Sequence, residues 1–272
     1  MHLIVTGQDR HLKIRVRAEL VYTFPEHTQA LVAIHVARTP DQSILSESLV
    51  ISPDTPVLQD MADHHGERRF RADLAGETRI VYEAVVENAK RAILPAGASL
   101  QSWLELPPPV LEFLLPSRYC PSDKFMSFAH REFGHLAPGS EQVLAVLEWV
   151  HANVDYVPGS SHSATTAENT FVDRIGICRD FTHLGISLCR ALNVPARAVS
   201  AYAWQLDPPD FHAVFEVYLD GAWWLVDPTR LVPVENLVRV ATGRDAADIA
   251  FLTTSGACEC LSQSVSVEAV TA

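Results

Sequence analysis

From Leu12 to Tyr22 the apolar side chains Leu12, Ile14, Val16, Ala18, Leu20 and Tyr22 alternate with Lys13, Arg15, Arg17 and Glu19. Strict period-two alternation predicts a strand with one buried and one wet face. Shorter β-rich runs follow at 30–37, 44–51, 70–74 and 79–87. Turn formers separate them at Pro40-Asp41, Ser52-Pro53-Asp54, Gly66 and Gly76. Short, regularly spaced strands without helical periodicity between them predict an antiparallel β-sandwich-like N-terminal domain.

The pattern breaks at Leu106-Pro107-Pro108-Pro109-Val110. Three consecutive prolines predict a stiff extended linker. The chain then divides into a β-rich domain over 1–105, a linker over 106–118 and a second domain over 119–272. Helical spacing begins beyond the break. Ser140 is the predicted N-cap of a helix over 141–153, with Val143, Val146, Leu147 and Val150 on one side. A second helix runs from Cys178 to Leu192 along the stripe Phe181, Leu184, Leu188 and Leu192, and Asn193-Val194-Pro195 stops it. Strands are predicted at 196–204, 211–219 and 223–226, so the fold class is α+β. The Ser/Val alternation over 262–272 reads as a closing strand or a tail.

Composition narrows the function. Asp plus Glu (33) exceeds Lys plus Arg (21), a net charge of −12, whereas phosphate-tracking proteins and anionic-membrane binders need excess base. No run approaches the roughly 20 apolar residues of a membrane span, and Met1–Arg10 lacks a leader's basic and apolar regions. Neither a nucleic-acid nor a membrane partner is expected, and the oligomeric state is open. Five cysteines, an odd number, suit a reducing cytoplasm and leave at least one thiol free.

One cysteine sits where chemistry is favoured. Cys178, in Gly176-Ile177-Cys178-Arg179-Asp180, starts the second predicted helix, where unpaired N–H groups and the helix dipole favour a nucleophilic thiolate. The competing reading is a buried structural cysteine, as Cys189 is predicted to be in mid-helix. His212 and Asp227 lie on two predicted strands joined by Asp220-Gly221, a strong two-residue hairpin signal. That register pairs residue 219 with 222, sets His212 opposite Thr229 and Asp227 opposite Val214. The imidazole and carboxylate become diagonal neighbours with Cβ atoms about 7–8 Å apart or less. A histidine oriented by a carboxylate is the base half of a nucleophilic triad.

These blocks resemble the transglutaminase-like superfamily. The resemblance is carried by Gly176-Ile177-Cys178-Arg179-Asp180-Phe181, Pro195-Ala196-Arg197 with Tyr202, Phe211-His212-Ala213 and Val226-Asp227-Pro228-Thr229. Ser117 to Asp123 adds to it. It is strongest over about residues 118–245 and is similar in detail to bacterial members described as cysteine proteases with a β-rich N-terminal domain. The resemblance implies a papain-like core with Cys178 as nucleophile, His212 as base and Asp227 as orienter. Ile177 and Arg179 stand where animal transglutaminases carry Gln and Trp, which weakens the implication of protein crosslinking.

The expected activity is acyl transfer on an amide or peptide bond through a thioester, with water as acceptor (cysteine protease or amidase type) and a peptide or protein substrate. The alternatives are a protein-glutamine transglutaminase with an amine acceptor, and a non-catalytic binding module. No cofactor is implied. Cys258-Glu259-Cys260 lacks the spacing of common zinc sites, and His64-His65 and His162 form no metal pattern. The second oxyanion donor, expected within 156–170, is unassigned.

Overall fold

The alternation that begins at Leu12 becomes β1 (Leu12–Val32), whose even-numbered residues from Ile14 to Phe24 are buried. The computed structural model describes residues 12–59, 63, 66–89 and 91–270. The first eleven residues and His64-His65 therefore lie outside it. Beyond β1 come β2 (Gln42–Ser52), β3 (Val57–Gln59) and β4 (Phe70–Asn88). The runs predicted at 70–74 and 79–87 are one strand, and the run at 30–37 continues β1 to Val32. β1 and β4 pair along nearly their whole length, with a register shift between Phe24 and Thr28. Pro25 lies inside that shift, where no ladder N–H is required of it. Gly76, opposite Phe24, has φ 65°, a backbone that side chains disfavour.

The next segment carries α1 (Pro108–Leu111), α2 (Met126–Phe133), α3 (Ser140–Asn153), β5 (Asp155–Tyr156), α4 (Ala167–Asp173), β6 (Ile175–Gly176) and α5 (Cys178–Ala191). The proline run is not wholly extended: Pro107 caps α1, and Pro108 and Pro109 occupy its first turn. Proline fits there because the first turn's N–H groups have no intrahelical acceptor in any case. A second antiparallel sheet follows, with β7 (Ala196–Ala203), β8 (Phe211–Leu219), β9 (Ala222–Val226) and β10 (Leu237–Gly243) in the order β10-β7-β8-β9. β10 carries no turn-bounded signal of its own, and pairing with β7 is what defines it.

Helix α5 is buried along most of its length between this sheet and the smaller helices. A Cβ added to Gly185 would lie 2.7 Å from Cε1 and 3.0 Å from Cζ of buried Phe215. Gly185→Ala gains about 1 kcal/mol of helix propensity against an overpacking cost of about 1–3 kcal/mol. A net loss of stability is expected, read as a lower urea midpoint at unchanged slope.

After α6 (Ala246–Ile249) the chain returns to the first sheet as β11 (Leu252–Thr254) and β12 (Glu259–Ala269). β11 pairs with β1 over Ala30–Val32 and β12 over Ile14–Thr23. The unit drawn over 119–272 is thus not separate, as β11 and β12 belong to the N-terminal sheet. β1 would otherwise present an unpaired edge, and the Ser/Val alternation suits a half-covered strand, with Val265 buried. The sheet reads as two four-stranded blocks, β12-β1-β4-β2 and β11-β1-β4-β3, that share β1 and β4. Polar contacts tie the two sheets together. Tyr202 Oη donates to Ile34 O at 2.7 Å, and Arg239 on β10 bridges Asp41 and buried Glu216. Among the described residues no helix is long and apolar enough to cross a membrane.

Candidate active site

Cys178 is the first residue of α5 and is half-buried. Three residues on from the capping position Ile177, the Asp180 carboxylate turns back to accept the Ile177 N–H at 2.9 Å, so the helix start is locked from within. Asp180 is fully buried and also accepts from Ser161 Oγ at 2.9 Å. Gly176 serves this lock. A Cβ there would lie 2.8 Å from Asp180 Cβ. Close approach, rather than a special backbone angle, requires the glycine. Arg179 donates to Ser161 Oγ at 2.5 Å and His162 O at 2.6 Å. That holds the loop after β5 against the helix.

The hairpin register is as the Asp220-Gly221 turn predicts, with Leu219 opposite Ala222 and Phe215 opposite Val226. Asp220 and Gly221 have φ of 51° and 77°, the paired positive values of a type I′ turn. His212 and Asp227 therefore meet: Nε2 lies 2.9 Å from Asp227 Oδ2, and both residues are buried. Oδ1 of Asp227 accepts from Thr229 N at 2.8 Å and Thr229 Oγ1 at 2.7 Å. The carboxylate is thus fixed before it orients the ring. The remaining ring nitrogen, Nδ1, is buried and has no hydrogen-bond partner of normal geometry. Burial alone would lower the His212 pKa. Hydrogen bonding to Asp227 and the nearby Cys178 thiol outweighs it and pushes the imidazole up to about 10. The structure brings Cys178, His212 and Asp227 together.

Several residues at this site were given no individual role from the sequence. Tyr156 reaches it because the two-residue strand β5 pairs in parallel with β6, setting Tyr156 beside Gly176. Thr229 is legible only once the Asp227 turn is formed. Asp180 had a usable signal, an acidic residue three positions after the helix cap. The other thiols lie elsewhere. Burial pushes Cys120 and Cys189 up to about 12. Cys258 and Cys260 are exposed, and among the described residues no three metal-type ligands converge.

Residues 12–100 match the bacterial transglutaminase N-terminal domain and residues 128–228 match the transglutaminase-like superfamily. The fold is similar to the crystal structure of a candidate cysteine protease from Cytophaga hutchinsonii. The TM-score is 0.92 at 37% identity, covering 97% of this chain and 92% of that one. The chain belongs to the transglutaminase-like superfamily. Cys178, His212 and Asp227 all fall inside the segment that matches the superfamily core. An uncharacterized Mycobacterium leprae protein is 27% identical over 193 residues, 65% of this chain and 67% of that protein. An uncharacterized Mycobacterium tuberculosis protein is 27% identical over 179 residues, 60% of this chain but only 54% of its own length. As a transglutaminase-like protein with a cysteine-protease neighbour, the chain has the fold of a thiol-dependent enzyme.

Proposed function

We propose that this protein hydrolyses an amide or peptide bond by acyl transfer through Cys178, His212 and Asp227. The observation that carries the reading is the 2.9 Å contact of a buried imidazole and a fixed carboxylate, on a ring that lines the same cleft as the helix-start thiol. With His212 held as imidazolium, Cys178 acts as thiolate. Its sulfur forms a bond to the substrate carbonyl carbon, and the carbonyl electrons move to oxygen. Collapse breaks the C–N bond as His212 gives its proton to the leaving amine. Water then attacks the thioester while His212 takes its proton. The C–S bond breaks, the acid leaves and the thiolate–imidazolium pair returns.

The oxyanion needs donors in place beforehand. Cys178 N–H is one, because the first N–H groups of a helix have no intrahelical acceptor. Tyr156 is the second in this reading. Its ring packs 5.8 Å from Phe181, and its hydroxyl comes within reach of the Cys178 backbone and thiol. Burial, then the Cys178 sulfur, pushes the phenol up to about 12, so it remains a donor at neutral pH. Tyr156→Phe is expected to slow acylation by p-nitrophenyl acetate by about 10²–10³-fold. Alkylation by iodoacetamide forms no oxyanion and is expected to stay within about twofold.

The C. hutchinsonii neighbour's description as a protease supports water as the acceptor. The test of the whole reading is alkylation of each cysteine against pH, resolved by peptide mass spectrometry. Cys178 is expected to react faster than the other four cysteines of the folded protein, and that advantage is expected to fade only as His212 loses its proton at about pH 10. Reaction only on denaturation would overturn the assignment. With a glutamine peptide and a fluorescent primary amine, release of ammonia without amine incorporation is the expected outcome. Stoichiometric incorporation would make the enzyme a transglutaminase.

A further inference from the structure

The cleft in front of Cys178 and His212 has a volume of about 430 Å³, and one wall of it comes from outside the superfamily core. Phe211, at the start of the His212 strand, stacks on Phe251 with centroids 5.0 Å apart and planes 15° from parallel. Ile249 and Leu252 extend this apolar wall. The wall is anchored on the first sheet. Leu252 pairs with Val32 of β1, and Ala33 N donates to Phe251 O at 3.0 Å. The N-terminal sheet is thus part of the structure that a substrate meets.

The same sheet sets a charge at the cleft. Gln263 on β12, which pairs with Leu20 of β1, donates from Nε2 to Asp210 Oδ1 at 2.8 Å. The backbone N–H of Phe211 donates to the same oxygen at 2.7 Å. Both donors are neutral, and among the described residues no cation forms an ion pair with Asp210. Arg179, the arginine of the cleft lining, is committed to Ser161, the His162 carbonyl and Asp180. Alongside the His212 imidazole, the cleft therefore presents aromatic and aliphatic surface and one oriented carboxylate that, among the described residues, forms no ion pair. That carboxylate favours a cationic side chain and disfavours an anionic one.

We propose that the cleft takes a peptide segment with a bulky apolar side chain against Phe211 and Phe251 and, next to it, a cationic side chain facing Asp210. The inference rests on the proposed Cys178 chemistry only for which amide is attacked. Binding itself is tested on the Cys178→Ala protein by calorimetric titration with acetyl-Phe-Arg-amide, acetyl-Phe-Glu-amide and acetyl-Gly-Arg-amide. The Phe-Arg peptide is expected to bind at least about tenfold more tightly than either of the others. Asp210→Asn, an exposed position, is expected to bring Phe-Arg and Phe-Glu within about threefold of each other while Phe-Arg stays ahead of Gly-Arg. Phe251→Ala is expected to remove the preference for Phe over Gly. Equal binding of the three peptides, no binding of any, or an Arg preference that survives Asp210→Asn would overturn the proposal. A failure of the nucleophile assignment shows separately, as slow alkylation of Cys178 in the unsubstituted protein.

Discussion

Cys178→Ala is expected to remove all p-nitrophenolate release above the uncatalysed rate and the fast alkylation signal with it, while the folded state keeps its stability to within about 1 kcal/mol. Cys178 is half-buried, contributes one sulfur to the helix start and takes no part in the lock made by Asp180, Ile177 and Ser161. Loss of that sulfur costs little packing. Cys189 offers the contrast: it is fully buried in the middle of α5. Truncation there opens a cavity and is expected to lower the melting temperature without touching acylation. If Cys178→Ala unfolded the protein and Cys189→Ala abolished the burst, the roles would be reversed and the proposed nucleophile wrong.

Asp227→Asn is expected to reduce steady-state hydrolysis by about 10³–10⁴-fold with a much smaller change in KM. The amide retains the shape of the carboxylate and its contacts to Thr229, so the fold should hold. It loses the charge that keeps the proton on His212. The pH dependence gives the readout that a structural role would not move. His212 titrates at about 10 in the folded protein and near 6.5 when unfolded. Its contribution to stability is therefore complete below about pH 6.5 and disappears as pH rises to about 10. Thermal stability of the unsubstituted protein should fall across that window, and Asp227→Asn should flatten the fall. It should also narrow the pH range over which Cys178 alkylates fast. Unchanged turnover in this variant would mean that the ring is oriented by something other than Asp227.

What the sequence determined by itself is what local rules control. Helix α5 begins at Cys178 because capping, the apolar stripe and the Asn193-Val194-Pro195 stop are all encoded within about twenty residues. The His212–Asp227 contact was legible because a two-residue turn sets the register of both strands, and register sets which side chains share a face. The same rules misjudged the proline run, where only the first-turn position makes prolines helical, and they split β1 and β4 at Pro25 and Gly76. A bulge absorbs those residues only once the opposite strand is present. Tertiary structure alone decided what depends on distant partners. Tyr156 stands beside Gly176 because β5 finds β6. Gln263 fixes Asp210 because β12 returns across more than two hundred residues to the edge of β1. The Ser/Val alternation marks β12 as a strand, but no periodicity names the partner it pairs with. Such distant contacts exist because an open sheet edge and an uncovered apolar wall are unfavourable until β11 and β12 close them.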